Sequence, residues 1–261
     1  MSTWVLLRGL TREAGHWGAF PQQLERRLRP RRIVCLDLPG NGTLHRQASP
    51  WRVEDMVSHC RERLRALRED GPCALVAMSL GAMVAVSWAA AHPRELAGCV
   101  LINTSLRPFN PFHQRLRPSS YPALLRVLAG HEPHAREAEI LGLTSRLADP
   151  SVVGQWAALR RERPVSRLNA LRQLVAAARF RAPPAPPAVP MLVLGSLGDR
   201  LVDPRCSETL AARWGLALCQ HPAAGHDLPL DDGPWVAERI AGWWAELGTD
   251  DAISPGGLRA G

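Results

Sequence analysis

Short apolar runs recur along this chain, and the intervals between them are filled by longer stretches of helical spacing. Trp4–Leu7, Ile33–Leu36, Ala74–Met78 and Cys99–Ile102 are apolar at successive positions, the pattern of strands covered on both faces. Between them, Trp17–Leu28 and Val53–Leu67 repeat at helical intervals. In the second, Val53, Met56, Val57, Cys60, Leu64 and Leu67 form one stripe, with Arg61, Arg63, Arg65 and Arg68 largely off it. Strands buried on both sides need helices above and below. The rhythm therefore predicts an α/β fold, a mostly parallel sheet flanked by helices.

The rhythm breaks after Asn103. Residues 105–182 are rich in Arg and read as helices without strand signals, and they end at Ala182–Pro190 (APPAPPAVP), whose prolines favour extended backbone. Alternation resumes with a strand at Met191–Gly195, a helix around Ser207–Trp214, a strand at Leu216–Gln220 and a last helix at Pro234–Leu247. This predicts a core built from residues 1–104 and 183–247 and an inserted helical cap, or lid, over 105–182. A tail at 248–261, rich in Gly, Asp and Ser, is expected to fray.

A chain of 261 residues, 46% hydrophobic and 21% charged, has enough apolar material for a substantial core, which excludes general disorder. No apolar run reaches the roughly 18 residues of a membrane helix, and Met1–Leu10 lacks the basic start and apolar stretch of a signal peptide. The expected compartment is cytoplasmic, with no membrane partner. Cys35, Cys60, Cys73, Cys99, Cys206 and Cys219 form no Cys-x-x-Cys pair, so they read as core residues rather than disulfides or zinc ligands. Residues 105–182 carry a charge of +8, equal to that of the whole chain, and every basic residue is Arg. No nucleic acid is expected as partner, because these Arg residues are not interleaved with exposed aromatics in a recognised module. Arg107, Arg115, Arg117, Arg160, Arg161 and Arg163 suit either a solvated helix face or recognition of a carboxylate, a phosphate or an acidic carrier protein.

Chemistry concentrates at Ala74–Ala85 (ALVAMSLGAMVA). A strand that runs through one Ser into an Ala-rich helix makes a sharp turn, which strains the Ser backbone and crowds the residues two before and two after it. Ala77 and Gly81 meet that need for small side chains. Ser79 is then lifted above the sheet as a candidate nucleophile. The Leu80 amide stands at a helix start, where N–H groups lack internal partners and negative charge is favoured. The same string elsewhere would merely cap a helix, so a base and an orienting carboxylate must follow later in the chain.

Met191–Gly195 runs into a loop ending at Asp199, and Ala223-Ala-Gly-His-Asp places His226 in a loop before the last helix. Asp203 is the alternative carboxylate, further from the strand. Asp199 is preferred because ligands of such sheets bind at the carboxyl edge. Asp227, Asp231 and Asp232 read as surface charges or loop caps, and His92 as a packing or capping residue. His131 and His134 are poorly spaced around Pro133 for a metal, and His16 reads as a neighbour of the pocket. Arg8-Gly9-Leu10 follows the first strand, and Gly9 permits a turn that aims the Leu10 amide at the same point as the Leu80 amide, a second oxyanion-hole donor. Leu96–Asn103 and Trp243-Trp244 read as packing.

With the elbow, the strand-end Asp, the late Gly-His and the Gly-Leu turn in this order, the chain resembles the α/β-hydrolase superfamily over nearly its full length. Within it, the chain is similar to compact bacterial esterases of the pimeloyl-acyl-carrier-protein methyl ester esterase kind. Asp37-Leu-Pro-Gly-Asn-Gly matches the superfamily's Asp-x-x-Gly-x-Gly turn, and the order Ser79, Asp199, His226 is that of this fold. The resemblance implies a four-helix cap after the superfamily's sixth strand, and a chain that opens at the strand counted third. Two positions depart from the pattern. Ala77 replaces the first Gly of Gly-x-Ser-x-Gly, and Arg8 stands where His usually precedes the oxyanion Gly, altering the polar support of that turn. The expected activity is that of a serine hydrolase with a catalytic triad, cleaving a carboxylic ester or thioester through an acyl-enzyme, without metal or organic cofactor. C–C hydrolysis, perhydrolysis, or ligand binding without catalysis are the alternatives on this fold.

Overall fold

A computed structural model describes residues 2–69 and 71–253. Six strands, β1 (Thr3–Leu7), β2 (Arg32–Leu36), β3 (Cys73–Met78), β4 (Leu96–Ile102), β5 (Met191–Ser196) and β6 (Ala217–His221), form one sheet in the order β2-β1-β3-β4-β5-β6. Every neighbouring pair is parallel. The helices in chain order are α1 (Phe20–Leu28), α2 (Val53–Ala66), α3 (Leu80–Ala91), α4 (Phe112–Arg115), α5 (Tyr121–Ala129), α6 (Pro133–Thr144), α7 (Val152–Glu162), α8 (Arg167–Arg179), α9 (Arg205–Trp214), α10 (Leu228–Asp231) and α11 (Gly233–Ile253).

Because successive strand side chains point to opposite faces, the apolar runs feed two cores. Val5, Leu7, Leu75, Ala77, Cys99, Leu101 and Val193 pack with α2, α3 and α9. Trp4, Leu6, Ala74, Val76, Val100, Ile102 and Leu194 pack with α1 and α11. Gly98 leaves room for the last helix, since a Cβ there would lie 2.9 Å from the Trp243 ring and 3.0 Å from that of Trp244.

Three predicted boundaries move by three residues or more, and β4 starts at Leu96 rather than Cys99. α1 starts at Phe20 rather than Trp17, because Ala14–Trp17 closes a separate 3-10 turn and Gly18, at φ 53°, breaks the helical path. α11 runs on to Ile253, so residues 248–253 are helical instead of a frayed tail, and the rest of that expected tail lies outside the described residues.

Between β4 and β5 the chain forms α4 to α8, five helices rather than the four expected, α4 being a single turn of four residues. It leaves and re-enters the sheet region side by side, with Arg107 bridged to Arg181 and the Ala182 amide donating to the Arg107 carbonyl at 2.7 Å. Buried polar groups hold these helices to the loops of the sheet. Glu137 of α6 sits between Arg12 (2.6 Å) and Arg160, and Arg163 pairs with Glu13 at 3.0 Å. The Gln173 side chain donates to Asn41 and Ser49 and accepts from the Thr11 amide. All six cysteines are free, and burial pushes Cys60, Cys73 and Cys206 up to about 12, which makes them inert thiols. No helix among the described residues is long and apolar enough to cross a membrane, and no cluster of His, Cys, Asp or Glu among them could hold a metal ion.

Candidate active site

β2 lies on the far side of β1 and β4 on the far side of β3, so the connections diverge at the adjacent carboxyl ends of β1 and β3. Such a switch point opens a crevice. Ser79 occupies it, at φ 55° and ψ −116°. A non-glycine residue held there costs roughly 1–3 kcal/mol, which the surroundings must offset. The Ser79 amide donates to the Ile102 carbonyl (2.9 Å), and its own carbonyl accepts from the amides of Ala82 and Met83 and from Thr104 Oγ1 (3.0 Å). Crowding at this turn has a different source from the one expected. A Cβ on Gly81 would meet the Leu7 carbonyl oxygen at 2.5 Å and that of Arg8 at 2.7 Å, so β1 rather than Ala77 demands the glycine.

The turn after β1 lies directly against the serine. A Cβ on Gly9 would stand 3.1 Å from Ser79 Cβ and 3.5 Å from Ser79 Oγ. Leu10 follows, and the turn closes with the Arg12 amide donating to the Gly9 carbonyl. Leu80 is the first residue of α3, where no preceding turn supplies an acceptor for its N–H.

Asp199 and His226 meet at the same edge, 2% and 3% exposed. Asp199 Oδ2 lies 2.7 Å from His226 Nδ1, and Oδ1 accepts from the Leu201 and Val202 amides at 2.8 and 2.9 Å. Close approach of the two loops fixes Gly198, whose Cβ would fall 2.6 Å from the Ala224 carbonyl oxygen. With Nδ1–H donating to the carboxylate, Nε2 is left as the basic nitrogen. Among the described residues, Ser79 Oγ makes no hydrogen bond to the ring. The two loops are instead clasped by consecutive residues after β4: Thr104 holds the Ser79 carbonyl, while Asn103 Nδ2 donates to the His226 carbonyl (2.8 Å) and to Ser196 Oγ (2.9 Å). Asn103, read from sequence as packing, is thus a clasp. It adopts φ 44°, a conformation that Asn tolerates better than most side chains.

Other residues fall elsewhere than expected. Asp227 is no surface charge: it is buried and ion-paired with Arg8. Asp203 pairs with Arg205 and accepts from its amide at the start of α9, while the carboxylate bonded to the ring is that of Asp199. Asp231 and Asp232 do cap loops, Asp231 taking the amides of Gly225, Arg146, Leu147 and Ala148, and Asp232 that of Trp235. His16 is buried against Trp156, bonded to Arg12 and to the Glu13 amide, and burial drives its pKa well below the usual imidazole value. Of the six arginines singled out between 105 and 182, Arg115, Arg117, Arg160 and Arg163 bond groups within the chain, while Arg107 and Arg161 are exposed. A cleft of about 860 Å³ opens between α5 and α6 beside Arg117 and Arg200, and neither Ser79 nor His226 lines it.

Comparison with known proteins agrees with the fold. No curated protein matches the sequence. Among solved structures, the chain is similar to a thermophilic esterase of Thermogutta terrifontis, with 20% identity over 95% of this chain and 90% of that one and a TM-score of 0.74. It is also similar to the enol-lactonase of Burkholderia xenovorans, with 17% identity, 94% and 91% coverage and a TM-score of 0.75. A hydrolase of Pseudomonas aeruginosa matches at 19% identity, 93% and 89% coverage and a TM-score of 0.71. The model of one family spans residues 4–239, nearly the whole sheet and everything inserted in it, and the chain accordingly belongs to the alpha/beta hydrolase family.

Proposed function

We propose that this protein is a serine hydrolase that cleaves a carboxylic ester or thioester through an acyl-enzyme. The observation that carries the reading is the buried 2.7 Å bond between Asp199 and His226 Nδ1, on loops clasped to the one that strains Ser79. His226 Nε2 takes the Ser79 proton as Oγ attacks the substrate carbonyl carbon. The resulting oxyanion is held by the Leu10 and Leu80 amides, each typically worth about 3 kcal/mol in the barrier. Collapse breaks the bond to the leaving alcohol or thiol, which departs with the proton from His226. Water, deprotonated by the same nitrogen, then releases the acid and restores the hydroxyl. Asp199 stays ionised throughout and stabilises the imidazolium.

Hydrogen bonds of this kind are often long until substrate is bound, which fits the unbonded Ser79 hydroxyl. The test combines a fluorophosphonate probe with Ser79→Ala. Wild type is expected to label at Ser79 and to hydrolyse short activated esters, and Ser79→Ala to lose about a thousandfold or more in kcat. A wild type that neither labels nor hydrolyses overturns the reading and leaves a ligand-binding member of the fold, and a variant that keeps most of the activity overturns the serine acyl-enzyme.

A further inference from the structure

Arg8 takes the position where His is usual, and its contacts give it a task. Its side chain is buried, with Nη1 2.9 Å from Asp227 Oδ1 and Nη2 2.5 Å from Oδ2. Nη1 also lies 3.6 Å from Met78 Sδ, and the guanidinium stands 4.8 Å from the centre of the Trp17 ring. Two of these contacts tie Arg8 to other parts of the proposed machinery. Arg8 opens the turn that carries Leu10, Met78 precedes Ser79, and Asp227 follows His226. Asp227 is itself fixed, its amide donating to the Thr144 carbonyl at 2.7 Å.

We infer that the Arg8–Asp227 pair is a positioning device that sets the oxyanion turn and the His226 loop in register. This rests on the acyl-enzyme reading above. A planar fork gripping both carboxylate oxygens fixes orientation as well as distance. Desolvation largely offsets the Coulomb attraction of such a buried pair, so its value lies in geometry more than in stability. The charged groups around the His226 loop are Asp199, on the ring itself, Asp227 and Arg8, Asp231 on the Gly225 amide, Arg12 on the same turn as Arg8 and Arg117 bonded to the Asp199 carbonyl. Within the pair the charges cancel, so removing Arg8 leaves Asp227 unbalanced one residue from His226, and removing Asp227 leaves the Arg8 cation unbalanced beside the same loop.

The experiment compares Arg8→Met, Arg8→Lys, Asp227→Asn and the double variant Arg8→Met/Asp227→Asn in the full chain, with competent sites counted by fluorophosphonate labelling. Per labelled site, kcat is expected to fall about 10- to 100-fold in Arg8→Met and Asp227→Asn with little change in KM, as for groups displaced by a fraction of an ångström. The acid limb of the pH–rate profile is expected to move up in Arg8→Met, where the carboxylate remains, and down in Asp227→Asn, where the cation remains. It should return near wild type in the double variant and in Arg8→Lys, which keeps the charge but loses the fork and therefore stays slow. If kcat per labelled site and the limb are unchanged while only Tm falls, the pair is structural and the inference is overturned. A wild type that neither labels nor hydrolyses removes the acyl-enzyme reading and this inference together, an outcome distinct from the first.

Discussion

Glu13 lies buried in the turn after β1 with Arg163 Nη1 3.0 Å from its carboxylate. Loss of water raises its pKa to about 7, against the pull of Arg163. Folded chain therefore holds the Glu13 proton up to about pH 7, whereas unfolded chain releases it near 4.5. The stability linked to that proton is complete below pH 4.5 and lost as pH rises through 7. Glu13→Gln, which keeps the shape and cannot ionise, is expected to raise Tm by a few degrees at pH 8 and to leave it near wild type at pH 4.5. Thermal melts across that range check it, and a pH-independent difference contradicts it. Residue by residue, what the sequence made legible was local. Ser79 stands out because a strand, a lone hydroxyl and a helix are contiguous, and Asp199 and His226 because each closes a strand-to-loop passage. Asn103, Arg8 and Asp227 were misread or left without a role because their partners lie far away in the chain, and no string of neighbours shows an ion pair that spans the fold.

α3 is buried from Leu80 to Ala89, which is why it reads as apolar on every side and why its first turn tolerates nothing larger than Gly81. Gly81→Ala drives a methyl into the carbonyl oxygens of Leu7, at the end of β1, and of Arg8 just after it, and is expected to destabilise by about 3 kcal/mol or more. Gly242, within α11 and with nothing within 4 Å of an added Cβ, should behave oppositely, since Gly242→Ala gains about 0.5–1 kcal/mol from reduced unfolded-state freedom. Urea titration of both variants reads the two signs in one assay. Element types were legible wherever period and length agreed, as in the six strands and in α2. Boundaries were less so, because Gly18 interrupts α1 through a backbone angle rather than through hydrophobicity, and because α11 continues past residues whose composition suggests fraying.

Across the whole molecule, the inserted helices meet the sheet's loops along a seam of charge. Glu137 is 1% exposed and serves both Arg12 and Arg160, themselves buried. Glu137→Gln leaves two guanidinium groups without a counter-charge and is expected to cost about 3–5 kcal/mol, read from the urea midpoint. The sequence made the excess of Arg between 105 and 182 plain, yet not that several of these residues face inward, because a helix's buried side shows in sequence only when it is apolar. Here it is not: Asn169 and Gln173 of α8 point to the core while Leu168, Leu171 and Leu174 face outward. A seam of this kind has its own thermal behaviour. Parting it wets guanidinium, carboxylate and amide groups more than hydrocarbon, and their hydration lowers heat capacity where hydrocarbon raises it. The enthalpy of parting these helices from the loops should thus vary little between cold and warm water, so a van't Hoff plot of their local opening is expected to run nearly straight.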